Sequence, residues 1–400
     1  MKASTLKLCL PVAIITSQHS ATGITIPPFL DHLHYPVSAI GALIAVGPVL
    51  SFTARLPSGF AYRGERAKFL MAASLAVIVL CNLLYGYAVD PLSFALVHAA
   101  NGFANGAAMT FYLAYFVESL APDEDRHHAM GYYSGALAIG YSSGGLAAGM
   151  VADRFGYLSS FRFAALIALL ALVPFLFARL SPAPRAKSPS AQGGKVPTLR
   201  ETLGAILNPQ MATIVVISVF LNMIHQLHTV FMPLYSLAVG LSLTEAGFIR
   251  ATHALANAVT RPISGYVVKG FGHKKLSRVA LPLQAAMLMA VPFFDHLLPL
   301  LLLFIGVGFL RAVVLVANTI GLVEDLDETR VSRGVASGVF HAAGDIGVVL
   351  GPSTGGLIAS YTGIARLFFV GPLLIVALFS VTIWACKFLG TTPKKISDVR

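Results

Sequence analysis

GVFHAAGDIGVVLGPSTGG, Gly338 to Gly356, and GYYSGALAIGYSSGGLAAG, Gly131 to Gly149, repeat one glycine frame at a spacing of 207 positions. Gly131, Gly140, Gly144 and Gly149 fall on Gly338, Gly347, Gly351 and Gly356, and Gly145 stands where the later copy has Pro352. At about 100° per residue, Gly344, Gly347, Gly351 and Gly355 make one helical stripe. His341 and Asp345 sit four apart on a neighbouring face. A helix with one smooth side and an ionisable pair beside it suits a part that slides against its neighbours. The earlier copy has Ser134 and Ala138 in place of that pair.

The repeat extends outward. At an offset of 206, Arg55-Leu-Pro-Ser-Gly59 lies over Arg261-Pro-Ile-Ser-Gly265, Pro27 over Pro233 and His19 over His225. Gly102-Phe103 lies over Gly308-Phe309 and Glu118 over Glu324. The chain reads as a duplication of one long unit.

Composition gives the solvent of that unit. The chain is 56% hydrophobic and 11% charged, with a mean hydropathy of +0.77. A soluble domain of 400 residues does not need so much apolar surface, so the bilayer is its expected surroundings. Spans of ~20 apolar residues cross a hydrocarbon core of ~30 Å. Twelve are predicted: 8–30, 38–61, 68–88, 92–118, 128–151, 158–179, 210–238, 245–268, 275–294, 297–323, 333–360 and 364–388. The first is too long and too polar, through Thr16 to Ser20, for a signal peptide, and is expected to be retained.

With the N-terminus inside, only Arg154, Arg162 and Arg366 of the 28 Lys and Arg residues fall outside the membrane on its outer side. That asymmetry places both termini in the cytoplasm. The net charge of +11 is therefore mostly a topology signal, and no basic tract with interleaved aromatics suggests nucleic acid. Cys9, Cys81 and Cys386 all lie in apolar segments and are expected as buried thiols. The stretch Ser181 to Pro209 is proline-rich, basic and polar, with a possible capping box at Thr198 and Glu201. The predicted organisation is an all-α membrane protein: a six-helix bundle over 1–180, a cytoplasmic linker over 181–209 and a second six-helix bundle over 210–400. Duplicated six-helix halves around a linker are an architecture of alternating-access transport.

Over essentially its whole length the chain resembles the major facilitator superfamily, and within it the drug and organic-solute proton antiporters. The loop after the second span is similar to the family's G-x-x-x-D-R-x-G-R-R signature in shortened form, with Gly59, Arg63, Gly64 and Arg66 but without the signature's acidic residue. Its second-half counterpart, Gly265 to Lys275, has Lys269 at the acidic position. His98 and Gly102 resemble the R-x-x-x-G segment of the fourth span, with histidine for arginine. The G-x8-G-x3-G-P-x2-G-G pattern of the family's antiporters is complete only in the eleventh span. The resemblance implies proton-coupled transport, and implies a cavity lined by the first, fourth, seventh and tenth helices. It also links Arg55, Gly59, Arg261 and Gly265, with Gly347, Gly351 and Pro352, to gating and packing.

Polar stripes point to that cavity independently. Asn222, His225, Gln226 and Thr229 share one face of the seventh span, and Thr16, His19, Ser20 and Gly23 one face of the first. The fourth span has His98, Asn101, Asn105, Tyr112 and Tyr115; the eighth has Arg250, His253, Asn257 and Arg261; the tenth has Arg311 and Asn318. Facing lipid, such groups would each cost several kcal/mol. The alternatives are helix-to-helix hydrogen bonding for the histidines, and snorkelling for Arg55, Arg250 and Arg261. His228 lies off the main stripe of its span.

Asp345 is the one carboxylate among seventeen acidic residues placed near mid-membrane, roughly 18 Å along its helix from Arg333. A carboxylate set alone in a low dielectric can exchange a proton near neutrality, with His341 as relay. The alternative is a structural ion pair, for instance with Arg311. Two interior arginines and several histidines against one acid favour an anionic or zwitterionic organic solute. The expected function is proton-coupled secondary transport of such a solute, in the direction of efflux, by a monomer in a bacterial inner membrane. Its partners are then the solute, protons and lipid, with no cofactor and no metal site. The alternative is an importer or facilitator of an organic acid or a metal–chelator complex. No zinc spacing or P-loop supports an enzyme or an ATP-driven pump.

Overall fold

The computed structural model describes residues 3–120, 126–177, 209–328 and 333–391, all helix and turn with no strand among them. The predicted linker and its capping box lie, up to Pro209, outside the described residues. The helices are α1 (Ala3–His32), α2 (Val37–Ala61), α3 (Ala67–Leu84) and α4 (Pro91–Glu118). A helical segment Arg126–Phe177 turns at Gly156, whose φ of 79° needs a residue without Cβ, and divides into α5 (126–155) and α6 (157–177). In the second half come α7 (Pro209–Ala238), α8 (Leu243–Phe271), α9 (His273–Met289), α10 (Leu297–Glu328), α11 (Arg333–Thr362) and α12 (Ile364–Thr391).

Eight stretches among the described residues are long and apolar enough to cross a membrane, and one of them, His128–Val173, covers α5 and α6 together. Only α1, α4 and α8 fall outside the set. Each spends much of its length on polar residues: Thr16 to Ser20, then His98, Asn101 and Asn105, then Arg250, His253 and Asn257. Apolar side chains such as Leu96, Ile139, Val259, Leu302 and Trp384 stay exposed, which suits a surface bathed in lipid.

Packing repeats with the sequence. In the first half α1 packs on α5 and α2 on α4; in the second, α7 packs on α11 and α8 on α10. The halves meet along two seams, α5 against α8 and α2 against α11, which exchange under the same offset. Even the turns repeat. Positive φ occurs at His34 and Gly240, 206 apart, and at Gly156 and Gly363, 207 apart.

Glycines set how close the seams come. A Cβ on Gly41 would strike the Pro352 carbonyl oxygen, and one on Gly356 would lie 2.8 Å from the Val37 carbonyl oxygen. In the other seam, a Cβ on Gly149 would lie 2.5 Å from the Leu243 carbonyl oxygen, and one on Gly247 would lie 2.8 Å from the Leu146 Cα. Gly41 and Gly247 are repeat counterparts, as are Gly149 and Gly356. The stripe Gly344, Gly347, Gly351 and Gly355 faces α7, meeting Asn222, Val219, Gln226 and Phe231.

These crossings lie at one end of the bundle, the distal end, opposite the start of α1. There Phe29, Phe94 and Phe161 share one buried apolar cluster with Phe231, Phe304 and Phe368, so the halves have a common core. Asp153 adds a polar tie across the α5–α8 seam, accepting from the Leu243 and Thr244 backbone N–H groups at 3.0 and 2.7 Å. Those donors are first-turn groups without helical partners, and the Ser242–Glu245 capping box completes the end. At the basal end the core divides. One cluster, with Val12, Phe111 and Phe116, belongs to the first half; another, with Met211, Leu322 and Val339, belongs to the second. A Cβ on Gly59, Gly131, Gly265 or Gly338 would meet nothing within 4 Å. The halves are joined distally and apart basally.

Gly41→Ala and Gly149→Ala should each lower stability by ~1–3 kcal/mol through overpacking. Gly131→Ala should be neutral or stabilising by up to ~1 kcal/mol, since alanine is the better helix former. Thermal unfolding of the three variants in detergent checks the contrast in sign.

Candidate functional site

Two adjoining cavities occupy the space between the halves. The first, about 320 Å³, runs along the α5–α8 seam and is lined by side chains of α1, α5, α7, α8 and α10, among them Arg250, Arg261 and Arg311. The second, about 360 Å³, runs along the α2–α11 seam and holds Arg55, His98, Asn101, Asn105 and Asp345. His19, Tyr141, His225 and Gln226 line both, so the two form one chamber.

Most of the residues expected in a cavity are on its walls. His19, His98, Asn101, Asn105, His225, Gln226, Thr229, Arg250, His253, Asn257 and Arg311 all line it. Three do not. Tyr112 is buried in the first-half core, its hydroxyl donating to the Leu8 carbonyl. Asn318 donates to the Ser218 hydroxyl at 2.8 Å and the Ile214 carbonyl at 3.2 Å, which ties α10 to α7. Asn222 sits behind the wall, accepting from the Arg311 guanidinium at 3.2 Å. Helical periodicity placed all three on polar faces, and each face turns toward a neighbouring helix.

Arg250 does not snorkel. Its guanidinium reaches inward to α1 and α5, where a Cβ on Gly23 would lie 3.2 Å from Nη2 and one on Gly145 would lie 3.3 Å from Cδ. In the opposite repeat these glycines are Thr229 and Pro352, and Arg250 is Ile44. The glycines thus open a slot that only one of the two seams needs. Nη1 of Arg250 is buried with no hydrogen-bond partner. Arg311 is held from behind, donating to the Leu221 carbonyl at 3.1 Å as well as to Asn222.

Asp345 pairs with Arg55, at 2.8 Å across the α2–α11 seam, and not with Arg311. Arg55 keeps 47% of its side chain exposed, against 15% for Asp345. The opposite seam has Arg261 but Ala138 where the acid would stand, and Arg261 donates to Asn257 Oδ1 at 3.1 Å. His341 is exposed, one turn away on α11. Of the remaining gate candidates, Gly347 and Gly351 pack on α7, and Pro352 meets Gly41.

The histidines differ from one another. His98 is satisfied on both nitrogens: the Ile44 carbonyl can only accept from Nε2, at 3.2 Å, so the Tyr85 hydroxyl donates to Nδ1 at 2.7 Å. That is a structural histidine lining a wall. His225, His228 and His253 converge, with one ligand atom from each within 4.8 Å of the others. His225 Nδ1 lies 3.2 Å from His228 Nε2, and the His253 ring stacks on His225 at 5.3 Å between centroids. Nε2 of His253 is buried without a partner. The sequence reading assigned no metal-binding set, and left His228 aside, because the third histidine comes from another helix. Tyr141 and Phe304 also went unnoticed, since aromatic residues in apolar runs give no polar signal. Behind the second cavity the Gln18 amide donates to Asn105 Oδ1 at 2.8 Å, and Asn82 to Gln18 Oε1 at 3.2 Å, a buried chain across α4, α1 and α3.

Residues 8–328 match the Major Facilitator Superfamily. An uncharacterized MFS-type transporter of Methanocaldococcus jannaschii is 20% identical over 359 residues, covering 88% of each chain. Among solved structures, the nucleoside transporter NupG superposes with a TM-score of 0.79 at 15% identity, covering 98% of this chain and all of its own. A bacterial homolog of the human lysosomal transporter Spinster, inward-facing and unoccupied, gives 0.74 at 13% identity over 96% of this chain and 95% of its own.

The Arg55–Asp345 pair should show a coupling energy of ~1 kcal/mol in a double-mutant cycle on thermal stability, a value held down by the exposed arginine. Arg55→Ala, Asp345→Ala and the double variant complete the cycle.

Proposed function

The chain belongs to the major facilitator superfamily and is a multi-pass membrane transporter, and we propose that it exchanges a small zwitterionic or anionic organic solute for protons in the direction of efflux. The observation that carries this reading is the chamber's charge. Arg250, Arg261 and Arg311 line one cavity, while a single carboxylate, Asp345, lies in the other with Arg55 as its partner.

Charge also sets the sign of coupling. A solute carboxylate held by Arg250 and Arg311 places an ammonium group of the same molecule within the joined chamber, where Asp345 attracts it. Proton and ammonium then compete for one carboxylate, and competition for a site is what exchange requires. A solute without the cationic group would instead favour protonation of Asp345 and travel with the proton. Arg55, half exposed, can leave the pair when either competitor arrives.

Movement follows from the two ends of the bundle. The basal end, rich in Lys and Arg, is the cytoplasmic one by the positive-inside rule, so the open chamber faces inward and takes its cargo from the cell. Rocking about the glycine crossings would close that end and open the other, with the two six-helix halves moving as bodies on either side of the 181–209 linker. Efflux as the working direction rests on the antiporter-type glycine-proline pattern of α11. Neither a cofactor nor a second copy of the chain has a role in this scheme. Import or facilitation of an organic acid or a metal–chelator complex is the second reading, favoured by the converging histidines.

In proteoliposomes, Asp345→Asn should retain solute counterflow and lose acceleration by an imposed pH gradient. A variant that still accumulates solute with the wild-type pH-gradient dependence would remove Asp345 from coupling. Organic cations that compete in counterflow, where zwitterions and anions do not, would overturn the charge class.

A further inference from the structure

We infer that His225, His228 and His253 form a binding site for a divalent late transition metal, and that the cargo is the complex of such an ion with a carboxylate chelator. This rests on the second transport reading above, the metal–chelator complex, and specifies its ion and its escort. The three imidazoles bring their nitrogens within 4.8 Å of one another on the wall of the first cavity. Imidazole nitrogens bound to one ion at ~2.0–2.1 Å lie somewhat closer together than that, so small ring rotations complete the set. Imidazole suits zinc, nickel, copper and iron, and does not suit magnesium or calcium.

Two further observations point to the ion and to its escort. Nε2 of His253 is buried with no partner, in a residue only 5% exposed. Leaving such a group unsatisfied is costly unless something occupies the space it faces. In the same cavity Nη1 of Arg250 is equally unpartnered, and it can only donate. A bare cation satisfies the histidine and is repelled by Arg250 and Arg311. An organic anion alone satisfies the arginine and leaves three clustered imidazoles with one hydrogen bond between them. A metal whose coordination sphere is shared between the imidazoles and a carboxylate ligand satisfies both sets. The carboxylates reach Arg250 and Arg311, and the complex enters with little or no net positive charge.

The opposite repeat makes the assignment specific. Thr22 and Gly47 stand where the second half has His228 and His253. His98, the first-half histidine that packs on Gly47, has both nitrogens bonded. One seam is built for ligation and the other is closed to it.

The test uses the purified full chain and cobalt(II) as probe, with and without citrate. Wild type should bind about one equivalent, read from its visible ligand-field spectrum, with zinc(II) displacing it. His228→Gln and His253→Gln should each weaken binding at least about tenfold, the lower range seen for lost metal-site partners. Citrate should tighten wild-type binding about tenfold, and Arg311→Gln should lose that gain while keeping the cobalt spectrum. Because the histidine substitutions alter buried groups and so test folding as well as ligation, X-ray absorption on wild type with zinc provides an independent readout, expected to show imidazole scattering. The inference is overturned if no protein-dependent spectrum appears with or without citrate, if X-ray absorption shows no imidazole, or if citrate strips the metal from the protein. Counterflow with metal-free amino acids and organic acids separates the two readings. Exchange that persists without metal binding removes only the metal complex as cargo. Metal binding without any solute exchange removes the proposed transport.

Discussion

The structure depends on how closely two pairs of helices can cross. At Gly41 and Gly356, and again at Gly149 and Gly247, the backbones meet without room for a methyl group. In lipid there is little hydrophobic gain from joining two apolar helices, so association relies on close packing and on the few polar bonds that packing permits. Where the backbones touch, Asp153 can reach the exposed N–H groups at the start of α8. Where glycines face open space, as at Gly59 and Gly131, the halves separate and the chamber lies between them. One device therefore supplies both the joint and the opening.

The repeat explains the frame, and departures from the repeat explain the site. Every glycine crossing has a partner 206 or 207 positions away. Several of the groups that make the chamber chemically distinctive do not. Arg250 replaces Ile44, Arg311 replaces Asn105, His253 replaces Gly47 and Asp345 replaces Ala138. The substitutions fit one another in volume. The slot for Arg250 opens through Gly23 and Gly145, whose counterparts Thr229 and Pro352 carry side chains. His98 fills the space over Gly47 that its counterpart Phe304 shares with His253. Symmetric packing with asymmetric polarity gives a chamber with its acid along one seam and Arg250, Arg261 and Arg311 along the other.

Much of this was legible before any coordinates. Helix ends match the predicted spans within a few residues, because glycine, proline and charged residues punctuate apolar runs that the membrane fixes in length. Polar stripes on α1, α4, α7 and α8 identified most of the chamber wall, since a polar side chain in such a helix must face either the chamber or another helix. That choice is where sequence ran out. Tyr112, Asn222 and Asn318 have the periodicity of wall residues, and their partners, Leu8, Arg311 and Ser218, come from other helices. The acid was singled out by its isolation, yet its partner Arg55 lies 290 positions away. No local pattern encodes that distance. The histidine cluster needed a third ligand from α8, so spacing within α7 did not reveal it.

The separation of the two charges has a consequence for how the halves move. Arg55 and Asp345 belong to different halves and meet partway along the α2–α11 seam, basal to the Gly41–Gly356 crossing. The opposite seam, lacking the acid, has at the corresponding place only Arg261 and Ala138. A proton or a cationic group arriving at Asp345 therefore changes the attraction across one seam and leaves the other as it was. In the proposed rocking about the distal crossings the bias would fall on a single side, fixed by one carboxylate within a near-symmetric frame. A symmetric pair of acids would load both seams at once and would demand two neutralising events for the same motion.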